Sequence, residues 1–306
     1  MKWNIYSKLW VIFFVLMGAA CTNQVEDAIP VSGQPIEFSV QSDWKEIPNT
    51  RSNDGRDHFD PNDTIQIFGF HRSSSGDEVK FMYRVGEPAR GQKVVFDGKA
   101  WNYSPKRFWP KEGKLDFYAS YPQFSVLNDE ENHKMTYEQT VNPLELDLLW
   151  GVSLGHVCAT DRSTKVEITM KHALAKVIIS FGGSLRDKIR QAEVSAYKAG
   201  YFSQTDTLGI PIWKVEDTSD KNIQIATLTP FDKQQTIGDA TVFILPDKIT
   251  GLILTKLDST KIDVSEKIKK YTFEAGKLYN LTISDGAQKK NTNTRSIAMS
   301  VRCVSE

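Results

Sequence analysis

The chain has 306 residues, of which 38 are basic, 38 are acidic and 40% are hydrophobic. This neutral composition gives no electrostatic reason to expect nucleic acid or an anionic lipid surface as a binding partner. Three cysteines cannot supply a disulfide framework, and the length is sufficient for two domains of ordinary size.

The first 21 residues have the pattern of an export signal. Lys2 and Lys8 form a positively charged start, and Leu9 to Ala20 form an apolar stretch too short to cross a bilayer comfortably. Cys21 follows directly. This arrangement resembles the bacterial lipobox, in which signal peptidase II cuts before a cysteine that becomes lipid-modified. We therefore expect 1–20 to be a lipoprotein signal peptide and Cys21 to be the lipidation site. The alternative is an ordinary secretory signal in which Cys21 is incidental.

The next part of the chain changes from a polar tether, 21–34, to a strand. Ile36, Phe38 and Val40 alternate with polar residues, which is typical of a half-buried β-strand. A loop rich in Asp, Asn, Ser and Gly follows over 41–63. Further strands are predicted at Thr64–Phe70, Val79–Val85, Gln92–Phe96, Ala100–Tyr103, Leu115–Tyr121 and Met135–Thr140.

A second series of strands begins after a polar break at 161–163. Residues 184–193 fit either a short helix or a turn, and no long amphipathic helix is predicted. Short strands separated by turn residues favour an all-β fold. We predict two consecutive antiparallel β-sandwich domains, 35–163 and 164–284. The strands predicted for the second domain are Val166–Met170, Ala175–Phe181, Val194–Ala199, Ile223–Leu228, Ala240–Leu245, Gly251–Leu257, Lys267–Phe273 and Lys277–Ile283.

The C-terminal segment, 285–306, combines a flexible arm with a strand. Residues 285–295 have the composition of a linker. After it, apolar and other residues alternate, which predicts a strand attached by a flexible arm. The alternatives are an edge strand that folds back on its own domain, or a frayed end. The alternating apolar residues are Ile297, Met299, Val301 and Cys303.

Several short motifs in this order resemble the fimbrillin-like lipoproteins of Bacteroidetes, the major and minor subunits of type V pili. The resemblance runs through most of the chain after Cys21. Each motif alone is weak, and the resemblance is specific because the motifs occur together, in this order, after a lipobox. The motifs are the strand Ile36–Val40, Thr50-Arg51, Phe59–Phe70, Trp101-Asn102-Tyr103, Phe108-Trp109-Pro110, Leu115–Pro122, Asp147-Leu148-Leu149, Lys171–Lys176 and Phe273–Thr282.

The resemblance implies two transthyretin-like β-sandwich domains and polymerisation by strand exchange. In this family an arginine-specific protease removes the N-terminal segment together with the first strand, and the vacated groove accepts a strand from another subunit. Unpaired backbone groups beside an apolar groove are a physical basis for such binding. On this sequence the displaced strand carries Ile36, Phe38 and Val40, the candidate cleavage site is Arg51, and the candidate donor strand carries Ile297, Met299, Val301 and Cys303.

The resemblance also implies a location and partners. The expected location is the outer membrane and the fimbrium at the cell surface, with attachment through the lipid on Cys21. The expected partners are other fimbrial subunits and an adhesion ligand on a host or bacterial cell. The sequence does not decide between a tip, stalk or anchor role.

No pattern in the sequence indicates an enzyme, a cofactor or a metal centre. The five histidines show no H-x-x-x-H spacing, and C-x-x-C, G-x-S-x-G and phosphate-binding glycine motifs are absent. We expect His172 to be partly buried and bonded to a neighbouring loop. The sequence does not decide whether Cys158 and Cys303 form a disulfide, and it favours two unpaired thiols. Four carboxylates could ligate calcium, but turn formation explains them equally well; they are Asp54, Asp57, Asp60 and Asp63.

A cluster of aromatic residues gives the alternative function, a glycan-binding surface lipoprotein. Aromatic rings stack on sugars, so exposed rings would favour this hypothesis. Against it, Phe117 alternates with Leu115 and Ala119 as in a core strand, and aromatic residues commonly dominate cores. We therefore expect the cluster to be core. Its members are Trp101, Tyr103, Phe108, Trp109, Phe117, Tyr118 and Tyr121.

Overall fold

A computed structural model describes residues 31–43, 58–123, 126–129, 134–138, 147–203, 209–230, 235–285 and 299–305. These residues are almost entirely β-structure, which confirms the predicted all-β class. The first twelve strands are β1 (Val31–Pro35), β2 (Phe38–Ser42), β3 (Thr64–Arg72), β4 (Glu78–Met82), β5 (Gln92–Phe96), β6 (Trp101–Asn102), β7 (Phe108–Pro110), β8 (Lys114–Tyr121), β9 (Val126–Asp129), β10 (Lys134–Glu138), β11 (Leu149–Val157) and β12 (Val166–His172).

Nine further strands and one short helix follow. The strands are β13 (Ala175–Gly182), β14 (Ile189–Tyr197), β15 (Ala199–Phe202), β16 (Ile223–Leu228), β17 (Ala240–Ile244), β18 (Ile249–Lys256), β19 (Lys261–Asp263), β20 (Leu278–Asp285) and β21 (Met299–Ser305). The helix is α1 (Ser265–Ile268), and single 3₁₀ turns lie at Asp161–Ser163, Gly183–Leu185 and Asp220–Asn222. No helix in these described parts of the chain is long and apolar enough to cross a membrane.

The first large sheet has eight strands, in the order β2-β12-β11-β8-β3-β5-β6 with β4 beside β3. Its core is aromatic and aliphatic, and it includes Phe38, Trp109, Phe117 and Ile168. β12 pairs with β11 on one side and with β2 on the other. The first group of strands therefore continues past residue 163, where the sequence placed the end of the first domain.

The next group of strands forms two four-stranded sheets, β17-β13-β20-β21 and β16-β14-β18-β19. Side chains from both sheets share one apolar core, which is the packing of a β-sandwich. Val177 and Leu281 come from the first sheet, and Val194 and Leu254 from the second; all four are buried. Two pairs are parallel, β2 with β12 and β13 with β20, and at these two places the pairing differs from the antiparallel arrangement predicted for the sandwiches.

The two groups of strands are joined by a short link and by a third core. Only Ala173 and Leu174 separate β12 from β13, and both are buried. Around them an aromatic cluster combines Phe68 and Trp150 of the first sheet with Phe243 of β17. A three-stranded sheet, β15-β10-β9, and a two-stranded sheet, β1-β7, complete the described fold.

Two local predictions differ from the structure, and one region that the sequence left undecided is now assigned. The end of the segment predicted as tether is β1, which pairs with β7. The strand predicted at Lys267–Phe273 is wrong, because α1 begins just before it; the Asp263 carboxylate accepts a hydrogen bond from the Ser265 backbone at 2.9 Å and turns the chain. The undecided region 184–193 contains the end of a 3₁₀ turn and the start of β14.

Candidate functional site

The first strand of the large sheet, β2, lies beside β12 in five parallel residue pairs, from Phe38 opposite Val166 to Ser42 opposite Met170. Alternation of apolar and polar residues places one face of this segment on the core. Ile36 is fully buried, Phe38 is 4% exposed and Val40 is partly buried. The three residues predicted to belong to a displaceable strand therefore lie on the core side of a sheet edge.

Phe38 is the centre of this contact. Its ring meets the Phe117 ring edge-on at 5.3 Å between centroids, and the Tyr103 ring at 5.8 Å. Burial of Ile36 and Phe38 stabilises the docked strand by about 1.5–3 kcal/mol for each side chain. We call the space that this strand fills, between β12 and the connection 101–108, the β2 groove.

The second edge of β2 is also occupied, although β2 is the last strand in the sheet order. The Ile36 backbone N–H donates to the Arg107 carbonyl at 2.9 Å. The Tyr103 hydroxyl donates to the Ile36 carbonyl at 2.8 Å, and the Trp101 indole N–H donates to the Val40 carbonyl at 3.1 Å. Sequence reasoning treated Trp101 and Tyr103 only as core aromatics, because their carbonyl partners are distant in sequence.

Burial keeps the Tyr103 hydroxyl protonated. It raises the pKa of Tyr103 to about 12, so the phenol remains a hydrogen-bond donor across the physiological range. Tyr103 is 6% exposed and packs in the same core as Phe38. The groove therefore offers a backbone ladder on one side and fixed side-chain donors on the other.

Weaker polar contacts surround the groove. Lys165 lies 3.6 Å from Glu37, and the Gln41 side chain donates to the Thr169 hydroxyl at 3.1 Å. Exposed pairs of this kind contribute little to stability. Cys21 and Arg51, the predicted lipidation and cleavage sites, lie outside the described residues, so both remain predictions.

The C-terminal strand β21 lies at the edge of its own sheet, in seven antiparallel pairs with β20. Val301 lies opposite Ile283 and Cys303 lies opposite Leu281; both residues of β20 are fully buried. The tail thus folds back on its own sheet, one of the alternatives that the sequence left open. Ile297 lies outside the described residues.

A buried ionisable cluster lies where the two groups of strands meet. The His172 Nδ1–H donates a hydrogen bond to the Asp147 carboxylate, as expected for a histidine bonded to a neighbouring segment. Burial lowers the pKa of His172, but the charge and hydrogen bond of Asp147 raise it by more, so the net shift is upward. Burial also lowers the pKa of Lys176 to about 8.

The aromatic cluster predicted as core is largely core. Trp109 and Phe117 are fully buried, and Trp101 and Tyr103 are 6% exposed. Phe108 is the exception, since it is 37% exposed. The cluster therefore does not form a continuous exposed surface for stacking on sugars.

The remaining candidates for chemistry show structural roles. The Asp63 carboxylate accepts a hydrogen bond from the Asp60 backbone at 2.7 Å, as in a turn, and Asn62 has φ +78°. Asp54 and Asp57 lie outside the described residues. No group of three or more metal-ligating side chains occurs in the described part of the chain. Cys158 is a buried free thiol, and burial raises its pKa to about 11.

A cleft of about 670 Å³ lies on the open face of the three-stranded sheet. Leu127, Thr136 and Tyr201 lie side by side on its three strands. Its rim carries charges of both signs, which match no single class of ligand. The charged residues are Arg90, Glu138, Lys198, Glu216, Asp217 and Lys221.

Two solved structures of low sequence identity share this fold, and a third is more distant. A protein from Bacteroides uniformis, assigned provisionally to cell adhesion, matches with a TM-score of 0.52 and 15% identity, over 90% of this chain and 98% of that one. A Bacteroides ovatus protein with the same provisional assignment matches with a TM-score of 0.51 and 13% identity, over 88% of this chain and 95% of that one. A C-terminally truncated tip fimbrial protein from Porphyromonas gingivalis gives a TM-score of 0.43 and 9% identity, over 80% and 94% of the chains.

The comparison with family profiles is more specific than the comparison of folds. No curated protein matches the chain significantly. In contrast, the profile described as fimbrillin-like matches residues 50–299, which is most of the sequence. This range includes the large sheet from β3 onward and both sheets of the sandwich, apart from β21 beyond its first residue. The chain therefore belongs to the fimbrillin-like family.

Proposed function

We propose that this protein is a subunit of a cell-surface fimbrium that assembles by exchange of β-strands. The observation that carries this proposal is the position of β2. The strand comes from the N-terminal part of the chain, occupies a sheet edge and buries Ile36 and Phe38 in the core. Its removal would uncover the β12 backbone beside an apolar groove, which a strand from another subunit can fill.

Proteolysis supplies the release step. Arg51 follows the end of β2 in a polar segment of the sequence, so a cut after it separates β1 and β2 from the rest of the chain. The strand is then held in the β2 groove by non-covalent contacts alone. Loss of the covalent connection makes replacement by a competing strand a bimolecular exchange, which a neighbouring subunit at high local concentration can drive.

The donor in this proposal is the tail strand with Met299, Val301 and Cys303, together with Ile297. Sequence composition predicts a flexible arm before it, which would give the strand reach. Among the described strands β21 has one neighbour, β20. The β2 groove instead makes hydrogen bonds along both edges of the strand it holds, so transfer from β20 to a groove adds the side-chain donors Tyr103 and Trp101 on the second edge.

Location and partners follow from the same proposal. The lipid on Cys21 would hold the precursor at the outer membrane until cleavage, and the mature subunit would then belong to the fimbrium. Its partners would be other fimbrial subunits, and the assembled fimbrium would carry an adhesive role. The glycan-binding alternative is not supported at the predicted aromatic cluster, where most rings are buried.

Limited digestion by an arginine-specific protease tests the proposal. We expect cleavage after Arg51, followed by ladders of stable oligomers on mildly denaturing gels. Arg51→Ala should block both cleavage and ladder formation. Arg56→Ala is the matched control, since it removes another arginine of the same sequence segment and should behave as the unmodified protein. A chain that is cut after Arg51, loses its first strand and remains monomeric would contradict strand exchange.

A further inference from the structure

We propose that Trp101 and Tyr103 form an aromatic clamp that holds whichever strand occupies the β2 groove by its backbone carbonyls. The inference rests on the proposed exchange of strands and names the residues that would bind the incoming strand. A clamp of this kind would let the groove bind the backbone of any extended strand. The apolar pockets of the core would then select among side chains.

The geometry of the second edge carries the inference. The hydroxyl of Tyr103 and the indole N–H of Trp101 donate to the carbonyls of Ile36 and Val40, four residues apart on one strand. Alternate residues of a strand direct their carbonyls to the same edge. Both donors therefore contact the edge of the strand that faces away from β12, while Glu37 directs its carbonyl to the Val166 N–H at 2.8 Å.

The clamp residues are themselves fixed in place. The Trp101 ring meets Phe59 edge-on at 5.0 Å and lies 5.1 Å from Phe96. Tyr103 lies under Lys106, whose ammonium is 4.6 Å from the ring centroid. None of these supporting contacts involves β2, whereas the Tyr103 ring also packs on Phe38 of the strand itself. The Tyr103 hydroxyl lies 3.4 Å from the backbone of Arg107 as well, so we expect both donors to stay near their positions when the strand leaves, and Trp101 to move least. Preorganised donors avoid an ordering cost at the moment of binding.

The hydrogen bonds of the clamp indicate which segments can occupy the β2 groove. Carbonyl oxygens are present in every residue, so the two donors accept any extended segment regardless of its side chains. The Arg107 carbonyl adds one requirement, because it accepts an N–H from the position of Ile36 and would exclude proline there. The partner is therefore a strand with apolar residues at alternate positions and no proline at that site. Residues 297–305 of a second copy meet both conditions.

Hydrogen exchange of the full-length chain tests the clamp before any cleavage. Tyr103→Phe and Trp101→Phe each remove one donor and keep an aromatic ring. We expect amide exchange over 36–43 to rise about three- to tenfold in each variant, as expected for loss of one hydrogen bond. Unchanged exchange over 36–43, or an equal rise throughout β8 and β11, would overturn the inference.

Two matched controls remove the same groups elsewhere. Trp213→Phe deletes an indole N–H that donates to the Ala173 carbonyl at 2.7 Å, and Tyr279→Phe deletes a hydroxyl that accepts from the Glu274 N–H at 2.8 Å. Neither residue contacts the β2 groove in these hydrogen bonds. Both control variants should leave exchange over 36–43 as in the unmodified chain.

Capture of a labelled peptide of residues 295–306 by the cleaved protein separates the clamp from the exchange itself. If the cleaved, unmodified protein captures the peptide and the two clamp variants capture it about three- to tenfold more weakly, the clamp is supported. If all forms capture it equally, the clamp is wrong and strand exchange stands. If the unmodified protein captures none, strand exchange is wrong, and the hydrogen-exchange experiment alone decides the clamp.

Discussion

The two edge strands at opposite ends of the chain, β2 and β21, differ in how they are held. β2 forms five parallel pairs with β12 and three hydrogen bonds on its second edge. β21 forms seven antiparallel pairs with β20 and has no second strand neighbour among the described strands. The difference teaches that position at a sheet edge does not determine how a strand is held, since β2 has hydrogen bonds on its second edge and β21 has no second strand neighbour among the described strands.

The largest expected effect concerns β2. Phe38→Ala removes the ring that packs against Phe117 and Tyr103, and it should lower the free energy of unfolding by about 3–5 kcal/mol. Denaturant titration of the full-length chain measures this loss. Ile225→Ala is the control, because Ile225 is 62% exposed and its truncation should change stability by less than about 0.5 kcal/mol. A loss below about 1 kcal/mol for Phe38→Ala would show that β2 is not part of the core.

A smaller effect concerns the place where the two strand groups meet. The pKa of His172 is raised above its ordinary value by Asp147, so the protonated histidine stabilises the fold. This contribution is fully present below the unfolded pKa of about 6.5 and is lost as the pH rises through the higher folded value. His172→Gln should cost about 1.5–3 kcal/mol at pH 6, the range for a hydrogen bond to a charged group.

The pH profile distinguishes this electrostatic role from simple packing. The groups that act on His172 are Asp147 and Asp43, which favour its charge, and Lys176, which opposes it. We expect the stability difference between the unmodified chain and His172→Gln to shrink as the pH rises above 6.5. A difference that stays constant from pH 5.5 to 9 would show that the side chain only fills space.

The smallest expected effect on stability concerns β21. Deletion of 295–306 should leave a folded monomer whose free energy of unfolding falls by less than about 2 kcal/mol, because the hydrogen bonds lost are offset by the ordering cost avoided. After cleavage, the truncated chain should accept an incoming strand but should not extend a polymer. Gel ladders measure the extension, and normal ladders would show that the tail is not the donor.

The sequence predicted the features that depend on local periodicity. Alternation at Ile36, Phe38 and Val40 gave the strand and its core side, and alternation in the tail gave a strand at the end of the chain. The pairing of strands is not local, so the position of β12 in the first sheet was missed. The hydrogen bonds of the clamp were missed for the same reason. Trp101 and its carbonyl acceptor are 61 residues apart in the chain, and Tyr103 and its acceptor are 67 residues apart.

The two-residue link between β12 and β13 has a mechanical consequence for an assembled fimbrium. Under tension, force would enter through the strand in the groove, pass to β12, cross Ala173 and Leu174 to β13, and leave through β20. The pairs β2–β12 and β13–β20 are both parallel, so the pull would run along these strands and shear their hydrogen bonds together. Most of the remaining sheet would lie beside this path and carry little of the force.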